Sequence, residues 1–362
     1  MRIGLDGIPL ASPKTGVGHY TFELARSLAL IAPSDDFTLI LPKPSGASVA
    51  NDIQPDTPAN LHLARLSPGL LNWRWWSVSL PLYLIWRPVD LFHGTNYDTP
   101  LWNGRPAVVT IHDLSLLLHA STHEGHLVRR ARRRLPFMAR AATMIITPTQ
   151  SVKQEVCAHL GIESSKIAVT PLAPRSVFKR IERDQTLETR RRLGVEDDFI
   201  LFVGTIEPRK NLLTLARAFD EILRATTLRP QLVIAGKEGW LTDNFFSFIE
   251  DAGLRDRVCF TGYLHDEDLR ALYSSCSVFV YPSLYEGFGL PPLEAMACGA
   301  PVISSQIPSI AEAVGNAACL VNPKKVEELA GAIVRLLGDK QAREQLSRSG
   351  LKRVENFTWE RT

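Results

Sequence analysis

Short apolar runs alternate with helix-like stretches along nearly the whole chain, and this alternation restricts the fold more than any other feature. Runs such as "FTLILP", "AVVTIHD", "FILFVGT" and "VFVYPS" are brief and rich in β-branched and aromatic residues, so each reads as a strand covered on both faces. The stretches between them, for example "GHYTFELARSLALIA" and "NLLTLARAFDEILRAT", carry apolar residues at helical spacing. Strand, helix and strand in repetition predict an α/β architecture with parallel sheets. A first series runs from "RIGLD" through "LHLARL", "DLFHG" and "MIITPT" to "IAVTP". A second begins at "FILFVGT" and continues through "QLVIAG", "RVCFTGY" and "PVISS" to "ACLVN". Between them lies "PRSVFKRIERDQTLETRRRLGVEDD", polar and dense in charge, which marks the expected domain boundary. A chain of 362 residues with 45% hydrophobic content fits two doubly wound domains, given about 100–200 residues per domain. The expected division is residues 1–174 and 175–345, with a further segment at 346–362. Open sheets of this kind bind ligands beyond the carboxyl ends of their strands, so two such domains facing each other would enclose a cleft.

The candidate chemistry follows strands. In "YEGFGLPPLEAMACG" a turn leads into a helix, with Pro291 and Pro292 in the first turn, where missing amides cost little, and Gly299 past the end. Glu286 then falls in the loop and Glu294 about one turn inside the helix, with seven residues between them. Amides of Gly287, Phe288, Gly289 and Leu290, together with the helix dipole, make a site suited to phosphate. A phosphate needs no carboxylate beside it, whereas a carboxylate accepts two hydrogen bonds from a vicinal diol, so the combination describes a nucleotide sugar. The alternative is that Glu294 caps its own helix and Glu286 is solvated.

"FVGTIEPRKN" is a strand, a loop carrying Arg209 and Lys210, and a helix start. Two cations directly after a strand suit a diphosphate whose charge grows as it departs; the alternative is a solvated Arg-Lys pair. In "PKTGVGHY", after the first strand, Gly16 and Gly18 would let backbone amides approach a ligand, although a bare packing turn explains them equally. This is not the three-glycine dinucleotide fingerprint, so no nicotinamide cofactor is expected. "TIHDL" ends a strand with His112 and Asp113, and His112 reads either as a ligand-binding group or as a buried histidine bonded to a backbone carbonyl. His93 in "LFHGTN" is a weaker candidate of the same kind.

"EGFGLPPLE" followed by "AMACGAPVIS", with "VGTIEPRKN" upstream, "KTGVGHY" near the start and "FTWE" near the end, resembles the retaining glycosyltransferases built from two Rossmann-like domains, the GT-B fold. Within these the match is to the large sucrose-synthase and mannosyltransferase-like family, glycosyltransferase family 4, and the details look closest to bacterial mannosyltransferases. The resemblance implies transfer of a hexose from a nucleoside diphosphate sugar, GDP-mannose first and a UDP-sugar second. The acceptor would be a carbohydrate or lipid-linked glycan in surface polysaccharide or glycolipid synthesis. It implies a front-face reaction in which a donor phosphate oxygen takes the acceptor proton, so that no protein base is required. Arg209 and Lys210 would grip the diphosphate, Lys210 more closely. Glu286 would meet the donor sugar's hydroxyls, Glu294 the ribose, and His112 the sugar from the other domain. Many relatives carry an Arg after the first Gly of "GTIEPRKN"; Thr205 stands there in this chain, leaving one phosphate ligand absent or replaced by a hydroxyl. Relatives usually continue past "FTWE" with a helix that packs on the first domain, so 346–362 is expected to be the truncated start of such a segment.

Other features set limits. Five scattered cysteines, odd in number and without a Cys-x-x-Cys pair, indicate neither a disulfide framework nor zinc and read as reduced thiols of a cytoplasmic protein. The N-terminus lacks a signal peptide's apolar region, and "WWSVSLPLYLIW" is too short to span a bilayer. "HDEDLRALYSSC" holds an Asp-x-Asp, but it precedes a helix, so Asp266 reads as the N-cap and Asp268 as a first-turn acid; no metal is expected. "HLVRRARRRLPFMARAATM" carries six Arg and no acid, with Leu127, Ala131, Leu135, Met138 and Ala142 at helical spacing. It predicts a basic amphipathic helix, either docking peripherally on an anionic membrane surface or simply solvated, while the net charge of +3 gives no case for nucleic acid. The Trp cluster at Trp73, Trp75 and Trp76 reads mostly as core. Two rivals to glycosyl transfer stay open: a nucleotide-sugar epimerase of the same architecture, and a sensor that binds donor without turnover.

Overall fold

The computed structural model describes residues 1–10, 16–43, 57–66, 74–100 and 104–362, and these form two compact units. One comprises Met1–Leu117, His126–Leu172 and Trp359–Thr362; the other comprises Leu118–Gly125 and Ala173–Thr358.

The first unit is built on seven strands. In chain order they and their helices are β1 (Arg2–Asp6), α1 (Gly16–Ile31), β2 (Asp36–Pro42), β3 (Leu61–Leu66), α2 (Leu80–Trp86), β4 (Leu91–Gly94) and β5 (Ala107–Thr110). After these come α3 (Ser115–Leu118), α4 (Gly125–Ala141), β6 (Met144–Thr147), α5 (Gln150–Leu160) and β7 (Ile167–Val169). The sheet runs β3-β2-β1-β4-β5-β6-β7, with every neighbouring pair parallel. Both faces are covered, which is why the strands read as continuous apolar runs. On one side Leu5, Phe37, Leu39 and Leu61 pack with Ala25 and Ala29 of α1; on the other Ile40 and Phe92 pack with Trp75, Leu80 and Leu84.

Trp75 therefore belongs to the core, Trp76 is half-buried with its ring edge-on to Phe92, and Trp73 lies outside the described residues. The exposed apolar groups of this region are instead Leu82, Ile85 and Trp86 on α2, Trp86 at 83%. In α4 the expected apolar face holds at Leu135, Met138 and Ala142, all buried, and needs correcting only at its start. Val128, Leu135, Met138 and Ala139 are buried, whereas Leu127 is exposed and Ala131 only half-buried. An amphipathic pattern of small and apolar residues among arginines tolerates a rotation of one position, and here packing selects Val128 over Leu127. Among the described residues no helix is long and apolar enough to cross a membrane.

The second unit contains α6 (Leu187–Leu193), β8 (Phe199–Val203), α7 (Leu212–Ala225), β9 (Gln231–Ala235), α8 (Asp243–Asp251), β10 (Val258–Gly262) and α9 (Asp266–Ser275). It continues with β11 (Val278–Tyr281), α10 (Leu290–Ala297), β12 (Val302–Ser305), α11 (Pro308–Val314), β13 (Cys319–Val321), α12 (Val326–Gly338) and α13 (Lys340–Val354). The boundary expected after residue 345 falls inside α13. The parallel sheet has the order β10-β9-β8-β11-β12-β13. Strand order reverses between β8 and β11, and at such a reversal the loops leaving two adjacent strands diverge and leave a crevice. The loops of interest, after β8 and after β11, are these two. Close backbone approach next to β8 demands glycine: a Cβ on Gly236 would lie 1.9 Å from the Gly204 carbonyl oxygen.

Candidate functional site

The β8 loop ends in a single helical turn, Pro208–Lys210, and passes into α7 through Asn211. Asn211 adopts the left-handed conformation, φ 60°, which asparagine tolerates better than most residues. Its side-chain amide donates to the Pro282 carbonyl at 3.0 Å and the Pro323 carbonyl at 2.6 Å, and its Oδ1 accepts from Thr214 Oγ1 at 2.7 Å. The loops after β8, β11 and β13 are thus tied by one residue. The Leu284 amide donating to the Arg209 carbonyl at 2.8 Å adds a second tie between the first two.

These ties bring Lys210 and Arg209 onto Glu286, 76 residues away in sequence. Lys210 Nζ donates to Glu286 Oε1 at 2.6 Å and Arg209 NH1 to Glu286 Oε2 at 2.9 Å. Arg209 NH2 also donates to Glu207 at 2.7 Å, and the Tyr281 hydroxyl donates to Glu286 Oε1 at 2.9 Å. Glu207, Lys210 and Glu286 are 6–9% exposed, so two acids and two bases form a charge-balanced buried group. Burial alone would raise the Glu286 carboxyl, but Arg209 and Lys210 beside it hold it down at about 2. Burial pushes the Lys210 ammonium down from its ordinary value, against the pull of Glu286. Glu286 is therefore not solvated, and the two cations are not a surface pair.

The helix that follows starts as its sequence dictates. Gly289 is the N-cap with φ 110°, open to glycine alone in practice, and Pro291 and Pro292 fill the first turn. Gly287, Phe288, Gly289 and Leu290 make the loop entering α10, pinned where Ser309 Oγ donates to the Glu286 carbonyl. Phe288 is buried, its ring 5.9 Å from that of Phe357. Glu294, in α10, is also buried, but its contacts are long: Arg175 Nε at 3.4 Å, Arg175 NH2 at 3.5 Å and the Tyr273 hydroxyl at 3.5 Å. Arg175 is committed elsewhere, its NH1 lying 2.5 Å from Asp266, and burial pushes the Glu294 carboxyl up despite the guanidinium. Glu294 does not cap its own helix; the N-cap lies five residues before it.

The Asp-x-Asp segment also needs a correction. His265, not Asp266, is the N-cap of α9; Asp266 is its first residue and pairs with Arg175, while Asp268 pairs with Arg192. A guanidinium offers each carboxylate a stronger partner than backbone amides do, so both turn outward to arginines. Thr205 is half-buried with its methyl against Gly239.

In the first unit the strand ends carry neutral hydrogen bonds. His112 is half-buried; its Nε2 donates to the Thr95 carbonyl at 2.8 Å, and its ring stands edge-on to Tyr20 at 4.8 Å. A carbonyl only accepts, so Nδ1 carries the lone pair, and burial keeps the ring neutral by lowering its pKa. His93 Nε2 and the Tyr20 hydroxyl both meet Thr110 Oγ1 at 2.8 Å, and burial lowers His93 to about 4. Gly16, exposed, opens α1, and Gly18 is buried within its first turn; Pro13, Lys14 and Thr15 lie outside the described residues.

Sequence reasoning missed Arg175, Glu207, Tyr281 and Asn211. Tyr281 left one signal, a hydroxyl ending an otherwise apolar strand; Arg175 left none, being one arginine in a charge-dense passage.

Comparison with known proteins agrees with this architecture. The family model described as "Glycosyltransferase Family 4" matches residues 14–173 and that described as "Glycosyl transferases group 1" matches residues 185–353. The chain is 31% identical over 373 aligned positions to O-antigen chain mannosyltransferase B of Escherichia coli, covering 99% of this chain and 97% of that protein. It is 36% identical over 227 positions to the serotype-specific mannosyltransferase WbdA of Escherichia coli, covering 61% of this chain and 28% of that much longer protein. Among solved structures, sucrose-phosphate synthase from Thermosynechococcus elongatus superposes with a TM-score of 0.78 at 22% identity, covering 99% of this chain and 96% of that one. Anabaena HepE in complex with UDP and glucose gives 0.74 at 20% identity, with 98% and 94% covered. The two parallel sheets, the loops at the β8–β11 reversal and the full-length relative agree: the chain belongs to glycosyltransferase family 4 and is a glycosyltransferase of the GT-B fold.

Proposed function

We propose that the protein transfers mannose with retention from GDP-mannose to a glycan or lipid-linked acceptor in surface polysaccharide synthesis. The observation that carries this reading is the buried Glu286–Lys210–Arg209 group beside the α10 N-terminus, with a second, loosely held carboxylate, Glu294, one turn further on. Cations and helix amides suit a diphosphate leaving group. Carboxylates suit the hydroxyls of sugar and ribose. The full-length relative named as a mannosyltransferase supports mannose over glucose, while the UDP complexes of HepE keep a UDP-sugar as second choice.

In this reading Lys210 and Arg209 hold the departing diphosphate together with the amides of Gly287, Phe288, Gly289 and Leu290. Glu286 takes hydroxyls of the donor sugar, Glu294 the ribose, and Thr205 stands where a further phosphate ligand would be. Within the first unit, Gly16, Gly18 and His112 are read as ligand-binding positions, the His112 Nδ1 lone pair accepting from a sugar hydroxyl. Transfer proceeds on one face of the sugar, the acceptor proton passing to a phosphate oxygen, and no metal or other cofactor takes part. The test is a thermal-shift panel of GDP-, UDP- and ADP-sugars followed by turnover with a glycan acceptor. Stabilisation by GDP-mannose and acceptor-dependent GDP release are expected. An isomerised sugar from donor alone would make the protein an epimerase, and binding without turnover would make it a sensor.

The site of action is the cytoplasmic face of the membrane, held peripherally through α4. Arg129, Arg130 and Arg133 are exposed on this helix beside Phe137, which is 53% exposed, and they line a groove of about 550 Å³. Arg134 is partly spent on Asp98. Each exposed cation near an anionic surface contributes about 1 kcal/mol, screened beyond roughly 8 Å at physiological salt. Flotation with anionic vesicles should drop sharply when Arg129, Arg130 and Arg133 become Gln, and when salt is raised. Equal flotation of both proteins would leave α4 a solvated face.

A further inference from the structure

The Tyr281 hydroxyl lies 2.6 Å from Lys210 Nζ and 2.9 Å from Glu286 Oε1. Lysine has only donors to offer, so the phenol oxygen accepts from Lys210 and its O–H donates to Glu286. Nothing about this hydroxyl is free to drift. Tyr281 ends β11, paired in register with Ser304, and its carbonyl accepts from Ser304 Oγ at 3.1 Å. Its ring stacks between Phe202 and Phe279, with centroids 6.1 Å from each and planes within 20°.

We propose that Tyr281 is a positioning residue for the Lys210–Glu286 pair, one that lets Lys210 exchange a carboxylate for a phosphate without leaving Glu286 short of a donor. The inference rests on the glycosyl-transfer reading given above. Glu207, Arg209, Lys210 and Glu286 balance one another in charge, so an arriving diphosphate must compete with Glu286 for Lys210. Arg209 donates to the other oxygen, Oε2, so without a second donor Oε1 would be left buried and unpaired at a desolvation cost. The Tyr281 hydroxyl already donates to the same oxygen, Oε1, that Lys210 would vacate, and that hydrogen bond does not depend on which partner Lys210 takes. Because the need arises only once Lys210 moves, the hydroxyl matters more in the reacting complex than in the resting one.

The test is Tyr281→Phe, which keeps the stacked ring and removes one oxygen. If Lys210 leaves Glu286 chiefly as the leaving-group charge develops, kcat should fall about tenfold while the donor KM stays within threefold, a split that general loosening of the site would not give. In a Glu286→Gln background, where the acceptor is no longer charged, the same substitution should cost at most about twofold, as expected of residues acting as a unit. Both comparisons use trace turnover of radiolabelled donor by the whole chain, with melting temperature as a check on folding. A kcat within twofold of the parent in Tyr281→Phe overturns the proposal, and so does an equal loss in the Glu286→Gln background. Should Tyr281→Phe melt too low to assay at the parent's temperature, both comparisons are made at a lower temperature at which every variant is folded, and the same outcomes overturn the proposal. Absence of donor turnover by the unmodified protein would instead defeat the glycosyl-transfer reading, so the two failures are separable.

Discussion

Glu286 and Glu294 stand either side of the same helix start, and they are held in opposite ways. Glu286 has three donors at 2.6–2.9 Å and a carboxyl held at about 2. Among the described residues, Glu294 makes contacts of 3.4–3.5 Å, shares its arginine with Asp266, and has its carboxyl pushed up by burial. The first is a tightly held anion that fixes its neighbours, with acceptor capacity left for a further donor. The second is a buried acceptor with capacity left over, and short hydrogen bonds from neutral hydroxyls would relieve it. Motif spacing alone treats the two acids as equals; the contrast appears only when their partners are counted.

The largest effect should come from removing a partner of the tightly held acid. Lys210→Ala should lower kcat by about 30- to 1,000-fold, corresponding to roughly 2–4 kcal/mol of barrier as for one lost oxyanion donor. Donor affinity should change less. A mutant with normal kcat and only a raised donor KM would place Lys210 in uniform binding.

Next in size is the loosely held acid. Glu294→Ala should weaken GDP binding roughly 10- to 150-fold, the range for a hydrogen bond to a charged group of about 1.5–3 kcal/mol. Calorimetry on the folded mutant checks this, and unchanged affinity would take Glu294 out of the site.

Stability should divide the pair more finely. Glu286→Gln, which leaves two buried cations underpaired, should cost about 2 kcal/mol at neutral pH, or roughly 4–8 °C in melting temperature. Glu294→Gln should be neutral or stabilising there. The pH dependence has opposite signs. Glu286 has a depressed carboxyl in the folded state, so its contribution is complete above the ordinary value near 4.5 and lost as pH falls toward 2. Glu294 has a raised carboxyl, so its contribution is present at low pH and lost as pH rises through the folded value. Melting curves for both mutants from pH 3 to pH 8 should therefore diverge from the parent at opposite ends, and parallel curves would erase the distinction.

The smallest expected effect is none. Asp266 and Asp268 each pair with an arginine, so turnover should be unchanged in excess chelator. Activity lost to chelation and restored by magnesium or manganese would mean these acids leave their arginines to bind a metal.

The strands were legible because burial on both faces leaves no polar alternation to obscure an apolar run, and the loop after β11 was legible from its Gly and Pro placement. That Lys210 and Glu286 share one site was legible only through the family resemblance, and their direct ion pair was not expected at all. In physical terms it depends on β8 and β11 being neighbours, and strand order is not written in any local pattern. Arg175 acts through partners far along the chain, from a segment whose composition reads as solvated, and Glu207 shows as a buried partner only once Arg209, two residues on, is seen turned inward. The start of the α4 apolar face was missed by one position, although Leu135, Met138 and Ala142 are buried as expected, because Leu127 and Val128 are equally apolar and only the surface beneath decides which turns inward.

Asn211 bonds the loops after β11 and β13 while its own backbone ends the loop after β8. The conformational entropy of these three segments is therefore lost when the chain folds, not when a ligand arrives. Fixing a residue's backbone costs about 1–2 kcal/mol, and a ligand meeting loops already ordered spends little of its binding energy on arranging them. More of that energy then remains for the transition state.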